Sequence, residues 1–318
     1  MHALVTGAAG FLGTRLIETL LSGPVDLPDI IRVAAVDLTP CPVRDARVVC
    51  LTGSIVDRSF VRSIVEADVD VIFHLAAVLS GQAEADFDAG MQVNVDGSRG
   101  LLDGCRRLRK APRFVFASTV AVFGGALPRV VPEDIALRPE TSYGAEKAIV
   151  ELLVSEYTRR GFIDGISCRL ATVAIRPGLP SSALSSFVSG IIREPFAGLE
   201  SVCPVPLDTP LWISSPSAVT HNLVHAARVP AAALDNRRAL NLPGLSVTPA
   251  EMLESLERIG GPATRSRVRY ELDRRVMAVV CGWPGALDAT RALALGFNGD
   301  PDFDAVLHQF MQERRRSP

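Results

Sequence analysis

The chain has 318 residues, 48% of them hydrophobic and 21% charged, with 33 basic against 35 acidic side chains and a formal net charge of −2. That apolar content excludes a disordered, collagenous or coiled-coil chain, and at roughly 100–200 residues per unit the length predicts about two folding units. Without a basic excess, a nucleic-acid or anionic-membrane partner is not expected, and a small molecule is.

Met1–Leu4 run straight into a strand that includes Leu4–Val5, with no basic or long apolar leader before it. Phe11–Leu21 carries apolar residues at helical spacing, Ile31–Val36 reads as a strand ending at Asp37, and Arg47–Leu51 as another. Ser59–Glu66 predicts a helix, Val71–Leu75 a strand, Met91–Arg109 a helix closed by a basic run, Arg113–Ala117 a strand, Ser142–Arg160 a helix and Cys168–Ile175 a strand. Such alternation requires crossover connections and a parallel sheet covered on both faces, a doubly wound α/β (Rossmann) architecture with its ligand crevice at the carboxyl ends of the strands.

After Arg176-Pro177-Gly178 the pattern changes. A Pro-, Ser- and Gly-rich stretch precedes a helix at Ser217–Ala227, a short strand at Ala239–Leu242 and a helix at Pro249–Ile259 capped by Thr248. The expected division is 1–176 for nucleotide binding and 177–318 for a smaller, partly interleaved substrate region, with about 208–242 returning to the first domain. Arg314–Arg316 reads as a frayed end. The uncharged stretches Pro177–Ile192 and Thr209–Ala227 are studded with Pro, Ser, Thr, His or Asn, so no membrane span is expected. The six cysteines form no C-x-x-C pair or zinc spacing, and His221 and His225 lack the acidic partner of a zinc helix; a reducing cytoplasm and no metal are expected.

Thr6-Gly7-Ala8-Ala9-Gly10-Phe11-Leu12-Gly13 joins the first strand to the first helix. Gly7 suits a tight turn, Gly10 a close approach of backbone to a pyrophosphate, and Gly13 close packing of helix on strand, while the helix amino terminus offers unpaired N–H groups to phosphate. Asp37 at the end of the second strand would hold the ribose hydroxyls, favouring NAD over NADP, with Arg44 and Arg47 near in sequence. Tyr143 and Lys147 are four apart and so share a helix face. A nearby ammonium lowers the pKa of a phenol, which suits Tyr143 as general base toward a substrate hydroxyl. The exposed Ser118-Thr119 pair ends the fifth strand, and Thr119 would hold the substrate oxygen. His74 is expected to be structural.

These residues resemble the extended short-chain dehydrogenase/reductase family of NAD-dependent epimerases and dehydratases. The likeness rests on Thr6–Gly13, Asp37, His74-Leu75-Ala76-Ala77, Asn94-Val95-Asp96-Gly97, Ser118-Thr119 with Val122-Phe123-Gly124, and Tyr143 with Lys147, in order over about the first 180 residues. The resemblance implies Tyr143 as proton acceptor, Lys147 as its partner and Thr119 as the orienting hydroxyl. It places Leu75, Ala76 and Ala77 along the cofactor cleft, Asn94 in a proton relay, and Ser54 and Ile55 beside the adenine. Phe123 stands where many relatives have Tyr.

Val120–Gly125, Arg138–Tyr143, Arg176–Pro180 and Ser185–Pro195 are further similar to members that oxidise the C2 hydroxyl of a four-carbon sugar acid such as D-erythronate. Such a substrate needs a guanidinium clamp, for which Arg193 is the first candidate and Arg176 the second, with Ser186 and Phe187 shaping the pocket. The alternatives are a nucleotide-sugar epimerase or dehydratase with tightly bound NAD, a hexuronate dehydrogenase, and a non-catalytic nucleotide sensor. The resemblance also admits a homodimer, since many relatives pair through two packed helices.

Overall fold

A computed structural model of the chain describes residues 1–23, 28–66, 68–178 and 183–316. Its strands are β1 (His2–Thr6), β2 (Arg32–Asp37), β3 (Val48–Thr52), β4 (Val71–His74), β5 (Arg113–Thr119), β6 (Asp164–Leu170), β7 (Thr172–Val173), β8 (Ser201–Cys203), β9 (Leu211–Ser214), β10 (Ala239–Asn241), β11 (Leu245–Val247) and β12 (Val268–Tyr270). Seven of them form one sheet in the order β10-β6-β5-β4-β1-β2-β3. Every neighbouring pair in it is parallel. A three-stranded sheet, β11-β9-β7, and the pair β12-β8 lie outside it.

The sheet is the doubly wound architecture expected of alternating strands and helices. Each central strand sends successive side chains to opposite faces. Val5, Phe73 and Val115 join Leu16, Ile17 and Leu20 of the helix Phe11–Leu21 and Leu223 of the helix Pro216–Ala226 in one core. Leu4, Ile72 and Phe114 join Leu101 and Leu102 of the helix Ser98–Cys105 and Val150 and Val154 of the helix Ser142–Arg159 in the other. A third core gathers the helix Ser186–Phe196, the helix Pro249–Gly260 and the final helix Phe303–Arg316 around Ile213 and Met252. β10 hydrogen-bonds to β6, so the chain returns to the large sheet after leaving it.

Local chemistry explains the helix starts. Thr141 accepts from the Gly144 N–H at 3.1 Å and caps the helix that carries Tyr143. Ser215 caps the helix Pro216–Ala226, which has Pro in its first turn. Thr248 and Glu251 form a reciprocal capping box.

Several segments depart from the sequence reading. The strand expected at Cys168–Ile175 is divided: β6 begins earlier, at Asp164, and ends at Leu170 in the large sheet, and β7 belongs to the three-stranded one. The helix expected at Met91–Arg109 is preceded by short helices at Ser80–Ala85 and Phe87–Gly90, the second capped by Asp86. Met91–Gly97 winds as a π-helix and Ser98–Cys105 as an α-helix. The basic run therefore lies past the helix end, where Arg106 pairs with Asp103 at 3.2 Å and Lys110 with Asp70 at 3.1 Å. Arg314–Arg316 do not fray; they complete the final helix, and Arg314 donates to the Phe196 carbonyl. No described helix is long and apolar enough to cross a membrane.

Leu223 is fully buried between the sheet and the helix Phe11–Leu21. Leu223→Ala is expected to lower unfolding free energy by about 2–5 kcal/mol, read by denaturant titration.

Candidate active site

A cleft of about 620 Å³ opens at the carboxyl edge of the sheet, between β1 and β4, where the strand order reverses. Gly7, Gly10, Phe11, Leu12 and Gly13 line it. Gly7 has φ +74°, a conformation that glycine adopts without steric cost, and a Cβ on Gly13 would sit 2.0 Å from the Gly7 carbonyl oxygen. The helix Phe11–Leu21 has no side-chain cap at Gly10 and no acidic residue in its first turn. Its first amides are thus not satisfied by a capping side chain, at the positive end of the helix dipole. That is a cradle for a pyrophosphate.

Asp37 lines the same cleft from the end of β2. Its Oδ2 accepts from the Ala9 N–H at 2.9 Å and its Oδ1 from the Leu38 N–H at 2.7 Å, which ties it to the glycine turn. Each oxygen keeps a further lone pair for a ribose hydroxyl. Arg47 is held by Asp45 and the Leu21 carbonyl. Neither Arg44 nor Arg47 lines the cleft, whereas Ser54, Ile55, Leu75, Ala76 and Ala77 do. The residues present fit a dinucleotide.

Tyr143, Lys147, Ser118 and Arg176 meet at the other end of the cleft. The Lys147 ammonium is buried, donates to the Ala117 carbonyl at 2.9 Å, and stands 4.7 Å from the centre of the Phe116 ring and 5.6 Å from that of Tyr143. Burial lowers it to about 8, against Glu146 and Glu151, which pull it up. Tyr143 departs from expectation. Burial, reinforced by the Glu146 carboxyl, pushes its phenol up to about 12, and the cation that draws it down is Arg176. The desolvation cost on the phenolate outweighs the neighbouring positive charge.

The two hydroxyls on β5 are already engaged. Ser118 Oγ donates to Glu151 Oε1 at 2.5 Å, and Glu151 forms a buried ion pair with Arg169 at 2.8 Å. Glu151 was missed in the sequence, although its place four residues beyond Lys147 puts it on the same helix face. Thr119 Oγ1 accepts from the Ala121 N–H at 3.1 Å and keeps its own proton to donate; it is not among the residues lining the cleft.

The arginine first expected as the clamp does not reach the cleft. Arg193 donates to the Arg176 carbonyl at 2.8 Å and to Glu194 at 2.5 Å, and it lines a separate cavity of about 900 Å³ with Arg15 and Phe310. That larger cavity contains neither the glycine turn nor Tyr143. Arg176, the second candidate, lines the cleft. Its backbone N–H is fixed by Ser189 Oγ at 3.0 Å, and its guanidinium has no hydrogen-bond partner among the described residues. Burial, and then the charge of Arg193, lower it from its ordinary value. Ser186 and Phe187 open the helix Ser186–Phe196, with Phe187 packed on the third core, and neither lines the cleft. Of the similar stretch Arg176–Pro180, Leu179 and Pro180 lie outside the described residues. Among the described residues no group of three His, Cys, Asp or Glu could hold a metal ion.

His74, at the end of β4, has a defined part in the wall. The Ala76 N–H donates to Thr6 Oγ1 at 3.3 Å, and Ser98 Oγ donates to the Asn94 carbonyl at 2.5 Å. Each hydroxyl has one proton. Ser98 therefore accepts from His74 Nε2 at 2.7 Å, and Thr6 donates to His74 Nδ1 at 2.7 Å. The ring is a neutral Nε2–H tautomer, and burial, with Lys147 second, lowers its pKa to about 3. The Asn94 side chain, expected in a proton relay, instead brackets the Val78 backbone: Oδ1 accepts from its N–H at 2.8 Å and Nδ2 donates to its carbonyl at 3.0 Å.

The chain is similar to known proteins along nearly its whole length. Residues 3–198 match the NAD dependent epimerase/dehydratase family. The chain is 50% identical to D-erythronate dehydrogenase of Cupriavidus necator, with 98% of each chain covered. It is 41% identical to D-erythronate dehydrogenase of Haemophilus influenzae, covering 98% of this chain and 99% of that one. The crystal structure of the nucleoside-diphosphate-sugar epimerase from Agrobacterium tumefaciens superposes with a TM-score of 0.94 at 38% identity, covering 100% of this chain and 95% of that one.

Asp37→Ala is expected to raise KM for NAD and to relax discrimination against NADP by at least tenfold, read as the ratio of kcat/KM values. His74 supplies a pH test. Its pKa is depressed on folding, so below about 6.5 the unfolded chain takes a proton that the folded one refuses. Stability should then fall by up to about 1.4 kcal/mol per pH unit between pH 6 and 4 from this group, a slope missing in His74→Gln when the two proteins' unfolding curves are compared.

Proposed function

Because the chain belongs to the NAD dependent epimerase/dehydratase family and is an NAD-dependent oxidoreductase of the extended short-chain dehydrogenase type, we propose that it oxidises the C2 hydroxyl of a four-carbon sugar acid of the D-erythronate type to the 2-oxo acid. The observation that carries this reading is Arg176: a half-buried guanidinium with no partner among the described residues, in the same cleft as Tyr143 and Lys147. A planar fork of donors suits a carboxylate, and a small acid bound there presents its C2 hydroxyl next to its anchored end.

In this mechanism the glycine turn and the first amides of the helix Phe11–Leu21 hold the pyrophosphate, and Asp37 holds the adenosine ribose. The dinucleotide supplies the hydride acceptor. Tyr143 takes the proton of the C2 hydroxyl at its phenolic oxygen. Arg176 helps in two ways, by gripping the carboxylate and by drawing the phenol pKa down. The positive charge of an oxidised nicotinamide acts in the same direction. Lys147, anchored on the Ala117 carbonyl, keeps its ammonium beside Tyr143, at the end of the cleft away from Asp37, where it would hold the nicotinamide ribose. Thr119 has a proton to donate to the substrate oxygen. Fixing both reactants in one cleft removes much of the entropic cost of the step.

The relative from Agrobacterium tumefaciens, titled a nucleoside-diphosphate-sugar epimerase, supports a second reading, in which NAD stays bound and the substrate is a nucleotide sugar. The two separate in one assay of NADH appearance with D-erythronate, the threonates, glucuronate, galacturonate and UDP-glucose. Stoichiometric NADH from one four-carbon acid is expected; silence on all acids with conversion of the UDP-sugar would replace the first reading by the second.

Tyr143→Phe should lower kcat by about 10²–10⁴-fold. Arg176→Met should raise KM for the acid by about 10- to 100-fold and leave turnover of the neutral alcohol erythritol far less affected. With the phenol near 12 and Lys147 near 8 in the free site, the logarithm of kcat/KM for oxidation should rise with pH by up to about one unit per pH unit until about 8 and level off above it, as Lys147 loses its proton.

A further inference from the structure

We propose that Glu146 is a positioning residue for the dinucleotide: through Asn94 it holds the cleft wall Leu75–Leu79 in place. The inference rests on NAD occupying the cleft and not on the sugar-acid reading, so a failed substrate assay leaves it standing.

Glu146 lies between Tyr143 and Lys147 in sequence but on another face of their helix. Its side chain is fully buried, directed at the helices Ser80–Ala85 and Phe87–Gly90 and not into the cleft. Gly90 makes the room: a Cβ there would stand 2.2 Å from Glu146 Oε1, and the next neighbour is Ala83. In this slot Oε2 accepts from Asn94 Nδ2 at 2.5 Å, while Oε1 has no hydrogen-bond partner among the described residues. A buried acid here is conspicuous, because a full charge in an apolar slot is costly unless paired. Burial raises this carboxyl above its ordinary value and Glu84 adds to the rise, against Asn94 and Lys147, which lower it.

The partner explains why the carboxyl is there. The Asn94 amide has two N–H donors and one carbonyl. One donor and the carbonyl bracket Val78, and the second donor goes to Glu146. An acceptor at Glu146 therefore dictates which way the amide faces. Without it one amide hydrogen is buried unsatisfied and the orientation that grips Val78 loses its anchor. Leu75–Leu79 has no helix or strand of its own, yet all five residues line the cleft. Its front is tied to β1, where the Leu75 N–H reaches the Thr6 carbonyl at 3.2 Å and the Ala76 N–H reaches Thr6 Oγ1. Its rear is tied to Asn94. A carboxyl on the helix of the general base thus sets the wall against which the dinucleotide lies.

The test measures binding directly, by NADH fluorescence titration of the full chain. Glu146→Met keeps the volume and removes the acceptor, and it should raise Kd for NADH at least fivefold. Glu146→Gln restores an oxygen to Asn94 and should bind within twofold of wild type. Asn94→Ala should weaken binding on its own, and adding Glu146→Met to it should weaken binding no further. Wild-type affinity in Glu146→Met, equal weakness in Glu146→Gln, or additive losses in the double variant would each overturn the proposal. Where Glu146→Met does not fold, the Glu146→Gln and Asn94→Ala comparison decides by the same criteria.

Discussion

The reversal of strand order between β1 and β4 is the constraint on which the site depends. Connections leave the sheet in opposite directions at that point, so the carboxyl ends of neighbouring strands are left uncovered. The glycine turn after β1, Asp37 at the end of β2, the wall after β4 and Ser118 near the end of β5 all lie along the one cleft edge. None of these groups needs a special loop to reach it. The parallel register, which sets Thr6 beside His74 and His74 beside Phe116, does the positioning.

The electrostatic character of the site follows from burial more than from pairing. Lys147 has one carbonyl and two aromatic faces for company, and His74 is kept neutral by its surroundings. The full ion pair at this edge, Glu151 with Arg169, stands behind Ser118 and cross-links the helix Ser142–Arg159 to β6. Satisfied groups support the cleft from behind, whereas the guanidinium of Arg176 and the first amides of the helix Phe11–Leu21 have no side-chain partner among the described residues.

Much of this was legible in the sequence, because much of it is local. A glycine triplet between a strand and a helix, an acid at the next strand end, and Tyr143 and Lys147 one turn apart need no tertiary information. The choice between Arg176 and Arg193 does. The two lie on one connected stretch of backbone, and which one faces the cleft depends on Glu194 and the Arg176 carbonyl capturing Arg193. The direction of the Tyr143 shift was also beyond the sequence, since helix spacing reveals that Lys147 is near but not how dry the pocket is. The short helices before Met91 escaped because Ser80–Ala85 carries no apolar periodicity. Glu146 escaped for a different reason: its importance lies in the room left by Gly90, a residue fifty-six positions away.

The edge position of β10 has a consequence for how such a chain can be altered. The large sheet ends with three residues, Ala239–Asn241, supplied from well inside the second half of the sequence. Asn241 is tied further to Glu133 and Asp288, and Arg291 reaches back to Glu133 as well. The two halves are therefore stitched and not merely tethered. A cut after residue 178 would strip β6 of its outer neighbour and leave a row of backbone donors and acceptors bare. Grafting a new substrate region onto this nucleotide scaffold would thus call for two separate insertions that leave the returning strand in place, and a single fusion point would fail.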